Sequence, residues 1–376
     1  MKITVPDYYK DFKCIAGKCE DTCCAGWQVD VDDASYAYYK SITGPFGDRL
    51  HSVMVDGKNG NEGQFRIRED GRCPFLNDNN LCDLYAELGE DALCVTCDQY
   101  PRYTCEFGNY RETGIALSCK TAAELILRDN RTPGFVKSEN DESFSNLNNI
   151  DGTLYINLKK ARKKAFEIVW NRKFTIWERL DILLDYAAGL QRLMKNPDTM
   201  SAYVDKFCIN PQKAGEKKLS EKQEIKYYYT IWKYYMKQVI IKREWPMLVK
   251  TVDDMLYRKS AYFQDMQEFG EYYKDREYEY ENLITYFIFR YFLKAVFDKD
   301  VFTKVKMGVV SILLIRQCDV GIWLSEGKKL TFDKQVDICH LYSREVEHSE
   351  ENFAALCKIF KKKNAFKIKN LKTLIK

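Results

Sequence analysis

The sequence predicts an α+β protein: a small, mixed, cysteine-rich metal-binding N-terminal domain (residues 1–137), a linker (138–152) and a mainly α-helical C-terminal domain (153–376). Three observations carry this. Ten of the fourteen cysteines fall within the first 119 of 376 residues, among short turn-rich segments. A polar stretch without helical periodicity follows, from Ser138 to Gly152. Beyond it, apolar residues recur at helical spacing almost to the C-terminus, with few strand signals.

In the N-terminal part, Trp27–Val31 alternates with period two as a half-buried strand does, and Asp32 or Asp33 is placed to cap a helix over Ala34–Lys40. Asp56–Gly63 reads as a loop because Gly and Asn tolerate positive φ, and the alternation of Gln64–Arg68 predicts a second strand. Asp83–Leu88 and Asp91–Cys94 read as helical turns that stop near Tyr100, since Pro101 disfavours helix in the residue before it. Cys94 and Cys97 then stand one turn apart on one face. In the helical part the segments are 154–170, 176–194, 225–240, 252–269, 280–297, 302–324 and 335–360, with breaks near Pro197, Pro211–Gly215 and Pro246. No fixed-period repeat is present, which argues against a solenoid.

The thiols are Cys14, Cys19, Cys23, Cys24, Cys73, Cys82, Cys94, Cys97, Cys105 and Cys119. Disulfide frameworks staple small secreted domains, whereas a chain of this length can bury cores without them. The N-terminus has no apolar signal region, so a reducing cytoplasm is the expected compartment, and thiolates gathered this way are expected to hold metal. Only one Cys-x2-Cys is present and His51 is the sole histidine before residue 120, so ligation would be nearly all sulfur, by zinc or by an iron–sulfur cluster. Adjacent side chains point to opposite faces of an extended segment, so Cys23 and Cys24 are not expected to share one ion easily. Cys208, Cys318, Cys339 and Cys357 lie in apolar periodic segments and read as buried small hydrophobes.

Other classes are disfavoured. There is no P-loop and no Gly-x-Gly-x-x-Gly after a strand, which excludes the usual nucleotide and methyl-donor cradles. The Cys-x3-Cys-x2-Cys spacing of radical S-adenosylmethionine enzymes is also missing. Residues 1–120 carry 13 Lys and Arg against 20 Asp and Glu, while the remainder carries 46 against 35. Opposite signs favour docking of the two parts on each other or give each a different partner. The basic residues interleave with acidic ones and no nucleic-acid motif accompanies them, so no nucleic-acid partner is expected. The longest apolar run, Met307–Ile315, falls short of the roughly 20 residues of a spanning helix, so no membrane partner is expected either. Tyr227–Met236 reads as packing residues, His340 and His348 as surface or packing residues rather than bases, and Lys159–Lys164 as a solvated helix face.

Val5-Pro6-Asp7-Tyr8-Tyr9 with Phe12 and Cys14, then Cys19-Glu20-Asp21-Thr22-Cys23-Cys24-Ala25-Gly26-Trp27, then Leu93-Cys94, Cys97 and Tyr100-Pro101-Arg102, together resemble the flagellin lysine N-methyltransferases of the FliB type. These motifs also look like those of a broader group of cysteine-cluster proteins with a zinc- or iron-chelating domain. The resemblance implies a bacterial cytoplasmic enzyme that moves a methyl group from S-adenosylmethionine to the ε-amine of flagellin lysines and needs a [4Fe-4S] cluster. Cys14, Cys19, Cys23, Cys24, Cys94 and Cys97 match its motifs, while Cys73, Cys82, Cys105 and Cys119 join by proximity in sequence. The catalytic base, the donor-binding residues and the oligomeric state are not assigned by these motifs.

Overall fold

The computed structural model describes residues 1–27, 29–57, 63–143, 150–211 and 219–375. It is an α+β fold with its strands confined to the first 139 residues: β1 (Lys2–Pro6), β2 (Asp30–Val31), β3 (Met54–Asp56), β4 (Gly63–Phe65), β5 (Arg102–Phe107), β6 (Tyr110–Ile115) and β7 (Phe135–Glu139). They form a four-stranded sheet in the order β5-β6-β1-β7 and a three-stranded sheet in the order β2-β4-β3. β1 runs parallel to β6 and antiparallel to β7, with Lys2 opposite Glu139 and Ile3 opposite Ser138. Ser138 and Glu139, at the start of the expected linker, therefore complete a strand. Residues 144–149 of that stretch lie outside the described residues, and its last residue opens the helix Gly152–Val169, capped by Asp151.

Near the cysteines the sequence signals hold with shifted ends. The strand expected over Trp27–Val31 is limited to Asp30–Val31, with Gln28 outside the described residues, because Trp27 turns away to pack on His348. Asp32 caps the helix Asp33–Ser41 by accepting from the Ser35 amide at 3.0 Å. The second strand is Gly63–Phe65 rather than Gln64–Arg68, and residues 58–62 of the expected loop lie outside the described residues.

The helical segments are broken more often than periodicity suggests. Residues 335–360 divide into Phe332–Val346 and Glu350–Lys362, because Ser349 caps a new helix by accepting from the Asn352 amide. Pro197 and Pro246 sit in the first turns of Pro197–Lys206 and Glu244–Val252, where a missing N–H costs nothing, so they open helices. The break around Pro211–Gly215 falls mostly outside the described residues. Arg162, within the expected solvated face, is buried and grips Glu112 of β6 through two bonds of 2.5 and 2.7 Å.

The helix Val301–Ser325 runs through the centre of the helical part, apolar on all sides as a fully surrounded helix must be. It is long and apolar enough to cross a bilayer, but 89% of that apolar window is buried inside the fold. The main core extends into the N-terminal part through Phe107, Leu117, Ala123, Ile126 and Leu127. A separate core of Val31, Tyr39, Leu50, Phe65, Phe75, Leu84 and Cys94 carries the three-stranded sheet. A third, small core joins Phe12, Ile115, Ala122 and Leu125. Cys73, Cys82, Cys94 and Cys97 pack with the second of these cores and Cys119 with the third.

Candidate metal and active site

All fourteen cysteines are free thiols, and the structure sorts the ten predicted site residues into two neighbourhoods and one outlier. Cys73, Cys82, Cys94 and Cys97 pack on the core of the three-stranded sheet. The Cys73 amide donates to the Cys24 carbonyl at 2.8 Å beside an Ala25–Arg72 bridge, which brings Cys24 to the same place. These five thiols interact electrostatically with one another. Cys14, Cys19, Cys23 and Cys119 form the other set, alongside the small Phe12 core on which Cys119 packs. Lys120, next to Cys119, ties the sets of elements together by reaching Glu20 at 3.0 Å and Asp337 at 2.8 Å. Cys105 lies apart, in β5 against the main core beside Lys294.

Local structure explains the pairing. Cys94 is the residue before the helix Val95–Gln99 and Cys97 is one turn along it, as the spacing predicts, and their thiols hydrogen-bond. That bond holds Cys94 below the usual thiol range and pushes Cys97 up, with burial adding to the rise. Cys23 and Cys24 are the second such pair: the hydrogen bond from Cys23 depresses Cys24, the nearby Arg344 and Arg72 charges help, and Cys23 is pushed up. In each pair one thiol is thus made more acidic by the hydrogen bond its neighbour donates.

Between the thiols and the helical part lies a polar junction whose histidines sequence reasoning assigned to surface or packing roles. Asp21 accepts from His340 Nε2 at 2.6 Å and from Lys242, and Arg344 Nη1 lies 3.3 Å away without hydrogen-bond geometry. Burial opposes ionisation of Asp21, but the His340 hydrogen bond, the Arg344 charge and the Lys242 bond outweigh it and hold the carboxyl well below the usual range. Arg344, fully buried, also donates to the Ala25 carbonyl at 3.0 Å. Trp27 meets the His348 ring edge-on at 4.4 Å, Tyr100 meets it at 5.6 Å, and Trp27 Nε1 donates to the Cys23 carbonyl at 2.5 Å. Burial pushes His348 down to about 4, and the Arg344 and Arg290 charges add to the shift. His340 Nδ1, Arg344 Nε and His348 Nε2 are buried without hydrogen-bond partners. Asp21 within the cysteine motif was the one legible signal of this junction; Arg344 had none.

Elsewhere, Cys318 and Cys339 are buried as expected, whereas Cys208 is exposed. Tyr228, Trp232 and Tyr235 are core residues, so this part of the aromatic run packs as expected.

The thiol set suits zinc or an iron–sulfur cluster in chemistry and number. Among the described residues, no three His, Cys, Asp or Glu side chains stand in a metal-holding arrangement. The thiols are therefore neighbours whose rotamers must converge for ligation.

A helical domain preceded by a small sheet-and-thiol unit is the architecture, and comparison with known proteins gives its family. Residues 162–374, more than half of the chain, match the FliB lysine N-methylase C-terminal domain, and the chain belongs to that family. It is 28% identical over 133 residues to a lysine-N-methylase of Salmonella typhimurium strain LT2, covering 34% of this chain and 33% of that protein. The lysine-N-methylase of Salmonella choleraesuis is 27% identical over the same length. The flagellar biosynthetic protein FliU of Salmonella muenchen is 28% identical over 133 residues, 79% of its length. The match thus spans about a third of the length of the two lysine-N-methylases. No solved structure matches the chain.

Proposed function

We propose that this protein transfers methyl groups from S-adenosylmethionine to the ε-amines of lysines in flagellin, in the cytoplasm, and that a [4Fe-4S] cluster held by its N-terminal thiols is required. The observation that carries the reading is family membership joined to nine thiols in two neighbouring sets, with the thiol pKa of Cys24 and of Cys94 lowered by a hydrogen bond from a second cysteine. The names lysine-N-methylase and FliU favour lysine as acceptor and flagellin as its bearer.

In the transfer, a nitrogen–carbon bond forms as the donor's sulfur–carbon bond breaks, the thioether leaves, and the amine nitrogen sheds one proton. Lysine has an ordinary pKa near 10.4, so the site must desolvate or deprotonate it before attack. Between its helical core and β1 the protein offers a buried acceptor without a partner, Asn282 Oδ1. Cys24, Cys73, Cys82, Cys94 and Cys97 are the residues that would hold the cluster, with Cys14, Cys19, Cys23 and Cys119 as the second thiol set. When bound, such a cluster supplies a cross-link among loops that bury little apolar surface of their own.

The test is to incubate the anaerobically purified protein with flagellin and methyl-labelled S-adenosylmethionine and to look for label in Nε-methyl-lysine. Label on lysine is the expected result. Absence of label together with absence of donor binding overturns the proposal.

A further inference from the structure

A cavity of about 310 Å³ lies away from the cysteines, between β1, β7, the helix Lys120–Leu127 and the helix Tyr278–Tyr291. That volume is at the small end for ligand pockets and suits one long side chain better than a large cofactor. Its walls mix charged and polar side chains with apolar and aromatic ones, the latter including Leu125, Ile126, Tyr8, and Phe135 stacked on Phe289 at 4.9 Å.

Asn282, 4% exposed, borders the cavity, and its amide nitrogen is committed to the Leu127 and Asp129 carbonyls at 3.4 and 2.9 Å. Its oxygen Oδ1 is buried with no donor. A buried acceptor without a partner costs about 1–3 kcal/mol, so a ligand N–H there would recover energy the free protein forgoes. Asp7, Asp11 and Asp129 line the cavity together with Lys10, Arg128 and Arg131, and because Arg128 pairs with Asp11 at 2.7 Å and Arg131 with Asp129 at 2.5 Å the lining is balanced in charge, so it is the aromatic faces that favour a cation or an N–H donor over an anion. Val136, half-exposed on β7, stands at the cavity wall, and among the described residues β7 pairs only with β1, so its outer edge is open to an extended chain.

Residues of the lining also touch groups that border the thiol region. Tyr286, in its lining, donates to Glu347 at 3.2 Å, and the next residue is His348, packed on Trp27 and Tyr100. Leu125 lines the cavity and packs in the same small core as Cys119, two turns away on one helix.

We infer that this cavity receives the side chain of a lysine presented by an extended segment of the protein substrate, with the aliphatic stem along Leu125, Ile126 and Phe135 and the terminal amine donating to Asn282 Oδ1. This rests on the proposed lysine methyl transfer, for which it names the acceptor site. An amine that donates one N–H to a neutral acceptor keeps its lone pair for the methyl group.

The probes are Nα-acetyl-lysine N-methylamide and its norleucine analogue, titrated calorimetrically into the full-length, metal-loaded protein. The lysine compound binds at least about tenfold more tightly than the norleucine compound. Val136→Arg, placed at the wall and outside the core, weakens lysine binding about tenfold while S-adenosylmethionine binding stays within about twofold. Asn282→Leu, checked for its fold by circular dichroism, removes the preference for lysine over norleucine. Equal binding of the two compounds, unchanged lysine binding in Val136→Arg, or loss of donor binding in that variant each overturns the assignment. These titrations need no turnover: lysine binding that Val136→Arg blocks, in a protein that transfers no methyl group, would sink the proposed function and leave the cavity's assignment standing.

Discussion

Replacing Asp21 by Asn should loosen the thiol-bearing segment from the helical part. Asp21 is 28% exposed at its side chain, and its partners are a fully buried guanidinium, Arg344, a nearly buried imidazole, His340, and Lys242. Asn keeps one acceptor oxygen but loses the charge. Charge-assisted hydrogen bonds contribute about 1.5–3 kcal/mol each, and breaking a fully buried pair costs about 3–5 kcal/mol. The exposure of Asp21 and the poorly aligned Arg344 contact lower that range, and we expect about 3 kcal/mol in urea unfolding of the metal-loaded protein. A double-mutant cycle with His340→Ala should return a coupling of about 1–2 kcal/mol. Hydrogen exchange should show the loss first at residues 19–27 and on the helix Phe332–Val346. A cost below about 0.5 kcal/mol, in the range of an ordinary surface ion pair, would refute the view that this junction holds the two parts together.

Cys94→Ser and Cys97→Ser should each lose most bound iron by elemental analysis, whereas Cys105→Ser and Cys318→Ser, remote from both thiol sets, should retain it; equal retention in all four would end the ligand assignment. Stripping the metal should expose residues 13–100 to limited proteolysis before residues 102–127, because the latter share the main helical core. Lowering the pH should destabilise the protein through His348: the unfolded chain takes its proton near 6.5 and the folded one only near about 4. Stability is therefore complete above 6.5 and falls through that window by at most about 3 kcal/mol, and His348→Phe should flatten the decline in thermal unfolding.

Residue types and short-range spacing showed the thiol inventory, the one-turn geometry of Cys94 and Cys97, the Asp32 cap and the helical character after residue 152. The hydrogen bond between the Cys23 and Cys24 thiols was not legible, because neighbouring side chains in an extended segment are expected to face apart. What could not be read were contacts made across long separations. His340 and His348 look like ordinary helix residues until the fold brings Asp21 and Trp27 against them, more than 300 positions away in sequence. The β5–β6 hairpin escaped notice because its strands mix polar and apolar residues without clean alternation, and its tight turn depends on Gly108 at φ +62. Arg162 sits in a run of basic residues that reads as solvated, and only Glu112 on the neighbouring strand reveals why it is buried. The cavity beside Asn282 is assembled from four elements, none of which carries a motif.

The most direct measurement of the central claim compares methyl transfer to flagellin by one preparation in three states: as purified without oxygen, stripped of metal, and reconstituted with iron and sulfide. Intact-mass analysis should show methyl additions on flagellin with the first state, none with the second and recovery with the third, all dependent on S-adenosylmethionine. Equal transfer by the stripped protein would contradict a required cluster, and no transfer by any state would contradict the lysine methyltransferase itself.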